Sequence, residues 1–448
     1  MQDNELIVYL VAFAVALAVI VHQTWRNPGA GLLLAYAFQL GMFYWAGAFV
    51  HALPWADLEQ GDMVLLGFKQ GTYAIAAFAA GAVILGPSVL KGVLAKRKMT
   101  GSSADPRLPR AYILYGILFY FVLKPTLGQV KGFNAISAVG AQLAVVGCCL
   151  LAWKAWCQGG NKALPPVLAP MLIIPMVTVV SEGFLGFGVM ALLTITMFCA
   201  QFFRPRWVLI AGFLVSAYCG LCVYTTYMRG REELRASVWG SDNLSNRVDK
   251  FLEIAGRFRP FNPWDNDDLA VVDERLDQNI IVGAAVSHLE FTDDFAKGGT
   301  LVDAVIAMVP RLVWPNKPMS AGSGLMVTRY TGIEFAYGTS VGIGPVLELY
   351  ANFATAGVVI GFLVLGLGIR LLDGLAGACL ADGDWHGFAI WCLIGISFLN
   401  VSGSFVETSM GAFASLLLAY GVNKLLQQYK RAGPREEFEV EEADVSAV

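Results

Sequence analysis

Between positions 308 and 352 the chain gathers side chains that could act on a phosphate-bearing substrate: Arg311, Lys317, Arg329, Tyr330, Glu348, Tyr350 and Asn352. Pro310, Pro315 and Pro318 flank Arg311 and Lys317. Proline fixes φ and removes a backbone donor, so these basic groups are carried on stiff chain. A guanidinium binds phosphate through two parallel hydrogen bonds and keeps its charge at any relevant pH. Held at a membrane surface, such groups suit a lipid pyrophosphate; equally, they could snorkel to lipid head groups. The same two readings apply to Arg229, Arg231 and Arg235.

Proton acceptors are few. Glu348 stands near the start of an apolar run, where an acid is costly and usually functional. It is either a general base or the carboxylate that anchors a nearby arginine, and the anchor role is preferred because a buried carboxylate needs a partner. Glu182 and Glu407 sit at comparable places with the same two readings. His288, beside Glu290, is the histidine of the long polar segment, and imidazole titrates near neutrality. His288 and Glu348 are therefore the candidate catalytic pair.

Other chemistries lack their signatures. There is no G-x-x-x-x-G-K-[ST], and Gly366-Leu-Gly368 lies inside an apolar run, not after a strand. His22, His51, His288 and His386 are scattered without paired-ligand spacing, so no metal site and no cofactor is expected. Asp265-Asn-Asp267-Asp268 reads as a solvated turn, and Asp382 and Asp384 carry no stronger signal.

The elements that must position these residues follow from composition. Of 448 residues 56% are hydrophobic and 15% charged, which excludes an ordinary soluble globular protein. Apolar runs of about twenty residues match the length a helix needs to cross a bilayer. An all-α polytopic membrane protein is expected, with eleven spans near 5–24, 30–51, 66–86, 110–130, 133–153, 164–181, 183–203, 207–227, 342–369, 386–401 and 403–423. Pro165, Pro166, Pro170 and Pro175 should kink or break the sixth. The eight cysteines lie in or beside apolar runs and read as small core residues. Asp3 and Glu5 precede the first run in place of a basic signal-peptide n-region, so the N-terminus is expected to be retained.

Positive charge sets the orientation. Connector 87–110 carries Lys91, Lys96, Arg97, Lys98, Arg107 and Arg110 against Asp105 alone, whereas 52–65 has Asp57, Glu59 and Asp62 and no base. The N-terminus is expected outside and the C-terminus in the cytoplasm, with Lys124 and Lys131 dissenting. Four regions result: a membrane region at 1–227, a large extracytoplasmic loop at 228–341, a second membrane region at 342–423 and an acidic cytoplasmic tail at 424–448. The loop holds 28 of the chain's 65 charged residues. Within it, Leu244, Val248, Phe251, Ala255 and Phe258 predict an amphipathic helix, lying along the membrane surface or over a cavity, after Ser241-Asp242-Asn243. Leu301–Val309 predicts a short helix, too short to span, that stops at Pro310.

The run Val309-Pro-Arg311-Leu-Val-Trp314-Pro315-Asn-Lys317-Pro318, followed by Glu348-Leu-Tyr350-Ala-Asn352-Phe353-Ala-Thr-Ala-Gly357, resembles the Wzy-type O-antigen and exopolysaccharide repeat-unit polymerases. The likeness covers about fifty residues strongly; elsewhere it rests on span count and loop placement. Two departures stand out: Ala354 where the family pattern has a glycine, and Asn316 where an aspartate is common. The resemblance implies a GT-C-like, metal-independent glycosyltransferase facing the periplasm from the bacterial cytoplasmic membrane. Its donor and acceptor would be undecaprenyl-pyrophosphate-linked oligosaccharides. Arg229, Arg231, Arg235, Arg311, Lys317, Arg329, Tyr330, Tyr350 and Asn352 would bind substrate. Membrane lipids, a chain-length regulator and a flippase are the implied partners, and no nucleic acid is. An O-antigen ligase or protein O-oligosaccharyltransferase uses the same donor and stays open as an alternative. A transporter is disfavoured because the ionisable residues sit at span ends instead of mid-span.

Overall fold

Apolar chain that cannot hydrogen-bond to lipid closes its backbone bonds internally, and helix is the regular structure found among the described residues. The protein is seen in a computed structural model that describes residues 2–97, 105–127, 134–240, 244–309, 313–314, 316–318, 321–335 and 341–432. The first spans are α1 (Gln2–Arg26), α2 (Leu32–His51) and α3 (Gly61–Lys96). Next come α4 (Leu108–Leu118, prolonged through Phe119–Leu123 and Lys124–Leu127), the short helix Asn134–Gly140 and α5 (Gln142–Gly159). They are followed by α6 (Pro165–Glu182), α7 (Gly186–Cys199) and α8 (Arg206–Trp239). The charged segment forms α9 (Leu244–Gly256), α10 (Asn266–Leu276), α11 (Asn279–Thr292), α12 (Gly299–Ala307) and α13 (Ser323–Thr331). Last are α14 (Gly344–Ala381), α15 (Trp385–Ser397) and α16 (Phe405–Ala432).

Eight of these helices are long and apolar enough to cross a membrane; α7 and α15 are apolar but shorter. The chain is thus an all-α polytopic membrane protein. On α1, Val8, Val11, Val15 and Val19 stay exposed along one stripe, as a lipid-facing surface would be. The prolines of α6 act as expected: a tight turn at Ala169–Ile173 interrupts it between Pro165–Leu168 and Ile174–Glu182.

The bundle has two distinct ends. One gathers Arg97 with Asp382 and Asp384, the Arg206 guanidinium on the Trp25 carbonyl, and Arg370 on the Asn27 carbonyl. The other gathers His51 with Asp273, Lys124 with Glu182, and the Tyr227 hydroxyl with the Gly183 carbonyl. Asn161 reaches the Arg204 carbonyl near the first end, and Glu182 lies at the second, so the kinked α6 runs from one to the other. Lys124, which dissents in the charge pattern, finds its counter-ion in Glu182.

At the second end α11 packs along α3. The two backbones touch: a Cβ at Gly67 would stand 2.0 Å from the Asn279 carbonyl oxygen, and one at Gly283 1.9 Å from that of Met63. Gln278 donates its amide to the Phe43 carbonyl (2.9 Å) and Asn279 its Nδ2 to the Tyr44 carbonyl (2.8 Å). The charged segment therefore enters the bundle at this point before α11 leaves it.

The helix at the span expected near 342–369 is broken within its first turns. Phe353 (φ −145°, ψ 28°) and Ala354 (φ 52°, ψ −150°) break α14. The Leu349 carbonyl oxygen lies against Gly357, and the Leu349 side chain against Gly361, twelve residues on. Residues twelve apart in a straight helix are about 18 Å apart. Residues 344–352 thus fold back along the start of the helix that follows.

Candidate functional site

The folded-back piece of α14 carries Glu348, Tyr350 and Asn352, all buried, and each ties a different element to it. Glu348 Oε2 accepts the Phe405 amide (2.7 Å) at the start of α16. The Tyr350 hydroxyl reaches Glu290 of α11 (3.3 Å), and its ring lies 6.3 Å from that of Phe295. Asn352 Oδ1 accepts the Gly298 amide (2.9 Å), while Nδ2 donates to the Thr300 hydroxyl and the Glu348 carbonyl, both at 2.7 Å. The Ala296 amide donates to the Ala351 carbonyl (2.8 Å). Four elements meet on nine residues, and they meet there because the break exposes a helix end to which a loop can dock.

Glu348 Oε1 is buried with no hydrogen-bond partner. Among the described residues its carboxylate meets the Phe405 amide and no arginine of the loop; Arg311 lies outside them. His288, on α11, is half-buried, and its ring makes no hydrogen bond among the described residues. It faces Gly332, the left-handed residue that ends α13, where a Cβ would stand 2.9 Å from Nδ1. Tyr330 is buried, and burial raises its pKa.

The basic candidates are distributed unequally. Lys317 caps α12, donating Nζ to the Ala307 and Val309 carbonyls at 3.0 Å each. Arg329 pairs with Asp294 at 3.3 Å, an exposed contact easily surrendered to a better anion, and lies over the Tyr330 ring. Arg229 is committed to Asp268, whose carboxylate is fully buried and also accepts the Asn262 amide. Asp268 is thus not the solvated turn residue its sequence context predicts; Asp265, beside it, caps α10 by accepting the Asp267 amide. Arg235 stacks on Phe184 at 4.4 Å. Arg231 stands on the same helix, one turn along from Arg235. Helix α8 packs chiefly on α6, α9 and α10, so Arg229, Arg231 and Arg235 form a group apart from Glu348, Tyr350 and Asn352.

One group of metal-capable donors appears that sequence spacing hides: His51, Asp273 and Asp277, with donor atoms within 4.8 Å of one another. Asp273 lies in the last turn of α10 and Asp277 is the extended residue that follows its end, while His51 lies in another element more than two hundred residues away. Burial pushes the Asp277 carboxyl up to about 7, against the lowering effect of the Asn279 amide.

No family model, curated protein or solved structure matches this chain.

Proposed function

We propose that the chain is a metal-independent membrane glycosyltransferase that polymerises undecaprenyl-pyrophosphate-linked oligosaccharide repeat units on the outer face of the bacterial cytoplasmic membrane. The observation that carries this reading is the hub built on Glu348-Leu-Tyr350-Ala-Asn352-Phe353-Ala354. The stretch that resembles the polymerase family is the one on which α11, α12 and α16 converge. Ala354, where the family pattern has glycine, holds a positive φ that glycine adopts without strain.

In the proposed reaction an acceptor hydroxyl attacks the anomeric carbon of the growing chain, and the carrier pyrophosphate leaves. The C–O bond to pyrophosphate breaks as the new glycosidic bond forms. Fixed cations stabilise the departing charge without a divalent ion. Arg311 and Arg329 suit this role, and the Asp294 partner of Arg329 is exposed and easily given up. The hydroxyl proton passes to a base. His288 is the accessible candidate: its imidazole is half-buried and unbonded, whereas Glu348 is wholly enclosed. Glu348 is then a positioning group that holds α16 against α14.

The test uses purified full-length protein with synthetic polyprenyl-pyrophosphate oligosaccharides and no added Mg2+ or Mn2+. A ladder of lengthening lipid-linked products with release of polyprenyl pyrophosphate is expected. A single transfer with no second addition under excess donor would instead indicate a ligase, and movement of substrate across a vesicle at unchanged mass a flippase. Strict dependence on added Mg2+ or Mn2+ would overturn the arginine mechanism.

A further inference from the structure

The geometry points to a divalent-cation site of the zinc class formed by His51, Asp273 and Asp277, which pins the charged segment to the helical bundle. His51 is the last residue of α2; Asp273 and Asp277 lie one turn apart at the end of α10. His51 Nε2 stands 2.8 Å from Asp273 Oδ1, and one donor atom from each residue lies within 4.8 Å of the others. A tetrahedral site with metal–ligand bonds near 2.0–2.1 Å sets its donors about 3.3 Å apart, so the His51–Asp273 pair would open and the wider separations would close on an ion.

Asp277 supplies the independent sign of a ligand. It is 5% exposed; Oδ1 accepts the Asn279 amide at 2.6 Å, and Oδ2 is buried without a hydrogen-bond partner. Room for the carboxylate exists because residue 47 of the facing helix is glycine: a Cβ there would stand 2.3 Å from Asp277 Cγ. One nitrogen and two oxygen donors with a position left over match zinc. Calcium seeks six to eight oxygens, and magnesium keeps an oxygen octahedron. A cleft of about 310 Å³, lined by His51, Gln60, Gly61 and Asp62, adjoins the imidazole of the site.

The site lies where the chain enters the bundle, beside the Gln278–Phe43 and Asn279–Tyr44 hydrogen bonds from which α11 starts. A bound ion would therefore fix the base of the helix that carries His288. This is a positional role, independent of the reaction proposed above.

Full-length protein with any affinity tag removed, on a Cys157→Ser/Cys219→Ser background that deletes the exposed thiols, is equilibrated with zinc chloride, gel-filtered and assayed for metal. One zinc per chain and a raised thermal midpoint are expected. Asp277→Asn and His51→Gln should each weaken zinc binding by more than the roughly 10–100-fold that loss of a supporting outer residue costs, and abolish the thermal shift. Should Asp277→Asn fail to fold, Asp273→Asn at the more exposed ligand reads the same loss. Folded protein that retains no zinc, or equal zinc on parent and variants, overturns the site. The readout is metal content, so zinc binding without a product ladder would leave the site standing and remove the polymerase reading; a ladder with no zinc would do the reverse.

Discussion

Asn352 Oδ1 accepts the Gly298 amide at 2.9 Å, and this bond joins the folded-back piece of α14 to the turn that begins α12. Gly298 has φ +90° and follows Lys297 at φ +49°, so the turn is held in a left-handed conformation that needs an external tie. Asn352 is the tie, and its amide is used on both sides. Asn352→Asp keeps the acceptor but sets a second oxygen against the Glu348 carbonyl. Asn352→Leu leaves the Gly298 amide and the Glu348 carbonyl without this partner. A buried polar group left unsatisfied costs about 1–3 kcal/mol. Both variants should lower the thermal midpoint in detergent; a midpoint equal to the parent's for Asn352→Leu would show the turn to be held by other means.

Ala354 sits at φ 52°, ψ −150°, a region essentially reserved for glycine. Ala354→Gly removes the Cβ strain at about 1–3 kcal/mol and should raise stability by part of that, since glycine also gains freedom in the unfolded chain. Ala354→Val should lower it. Thermal midpoints of the three proteins in one detergent give the order Gly above Ala above Val. A glycine variant less stable than the parent would mean that residues 344–352 do not fold back.

His288 and Glu348 separate by their surroundings. His288→Ala removes a half-buried ring that makes no hydrogen bond, so folding should persist while polymerisation falls; general base catalysis typically contributes about 10²–10⁴-fold. Glu348→Leu strips the Phe405 amide of its acceptor in a partly buried place and should destabilise by about 1–3 kcal/mol. Glu348→Gln keeps an oxygen for that amide and should fold. Product ladders and midpoints measured on the same preparations distinguish the roles. Full activity in folded His288→Ala would pass the base assignment to Glu348.

What the sequence made legible was what depends on period and length. Eight helices among the described residues are long and apolar enough to cross a membrane where the sequence predicts eleven spans. An all-helical membrane architecture, the amphipathic α9 and the short α12 follow from apolar spacing. Three features do not. Helix α11 is apolar but only fourteen residues long, so no span length marks it, and its fit to α3 depends on Gly67 meeting the Asn279 backbone and Gly283 the Met63 backbone. The fold-back in α14 interrupts no apolar pattern, although 344–352 are buried throughout while Val359, Ile360 and Val364 of the other arm are exposed; its trace in the sequence is Ala354 at an expected glycine. The third is the meeting of His51 with Asp273 and Asp277, which spacing cannot report. Among the candidate bases, chemistry identified the residue types but could not show that Lys317 closes the end of α12 or that Arg229 serves Asp268.

The sidedness of the bundle gives the last prediction. Residues 87–110 hold six bases against one acid, so this connector should be cytoplasmic and the segment 228–341 outside. Lys124 opposes that assignment by charge alone. Its ammonium pairs with Glu182 and lies 5.3 Å from the Tyr120 ring centroid, so it joins the ends of α4 and α6 and has a use on that side. The ion pair also places those two helix ends together, as the alternation of spans requires if α6 crosses fully. Native Cys157 and Cys219 are exposed and must first be replaced by serine. On that background an impermeant thiol reagent applied to intact cells should label Ser241→Cys and leave Ser102→Cys unlabelled until the membrane is permeabilised. The reverse pattern would turn the bundle over and put Arg231, Arg329 and His288 on the cytoplasmic face, where a lipid-linked glycan flipped outward could not meet them.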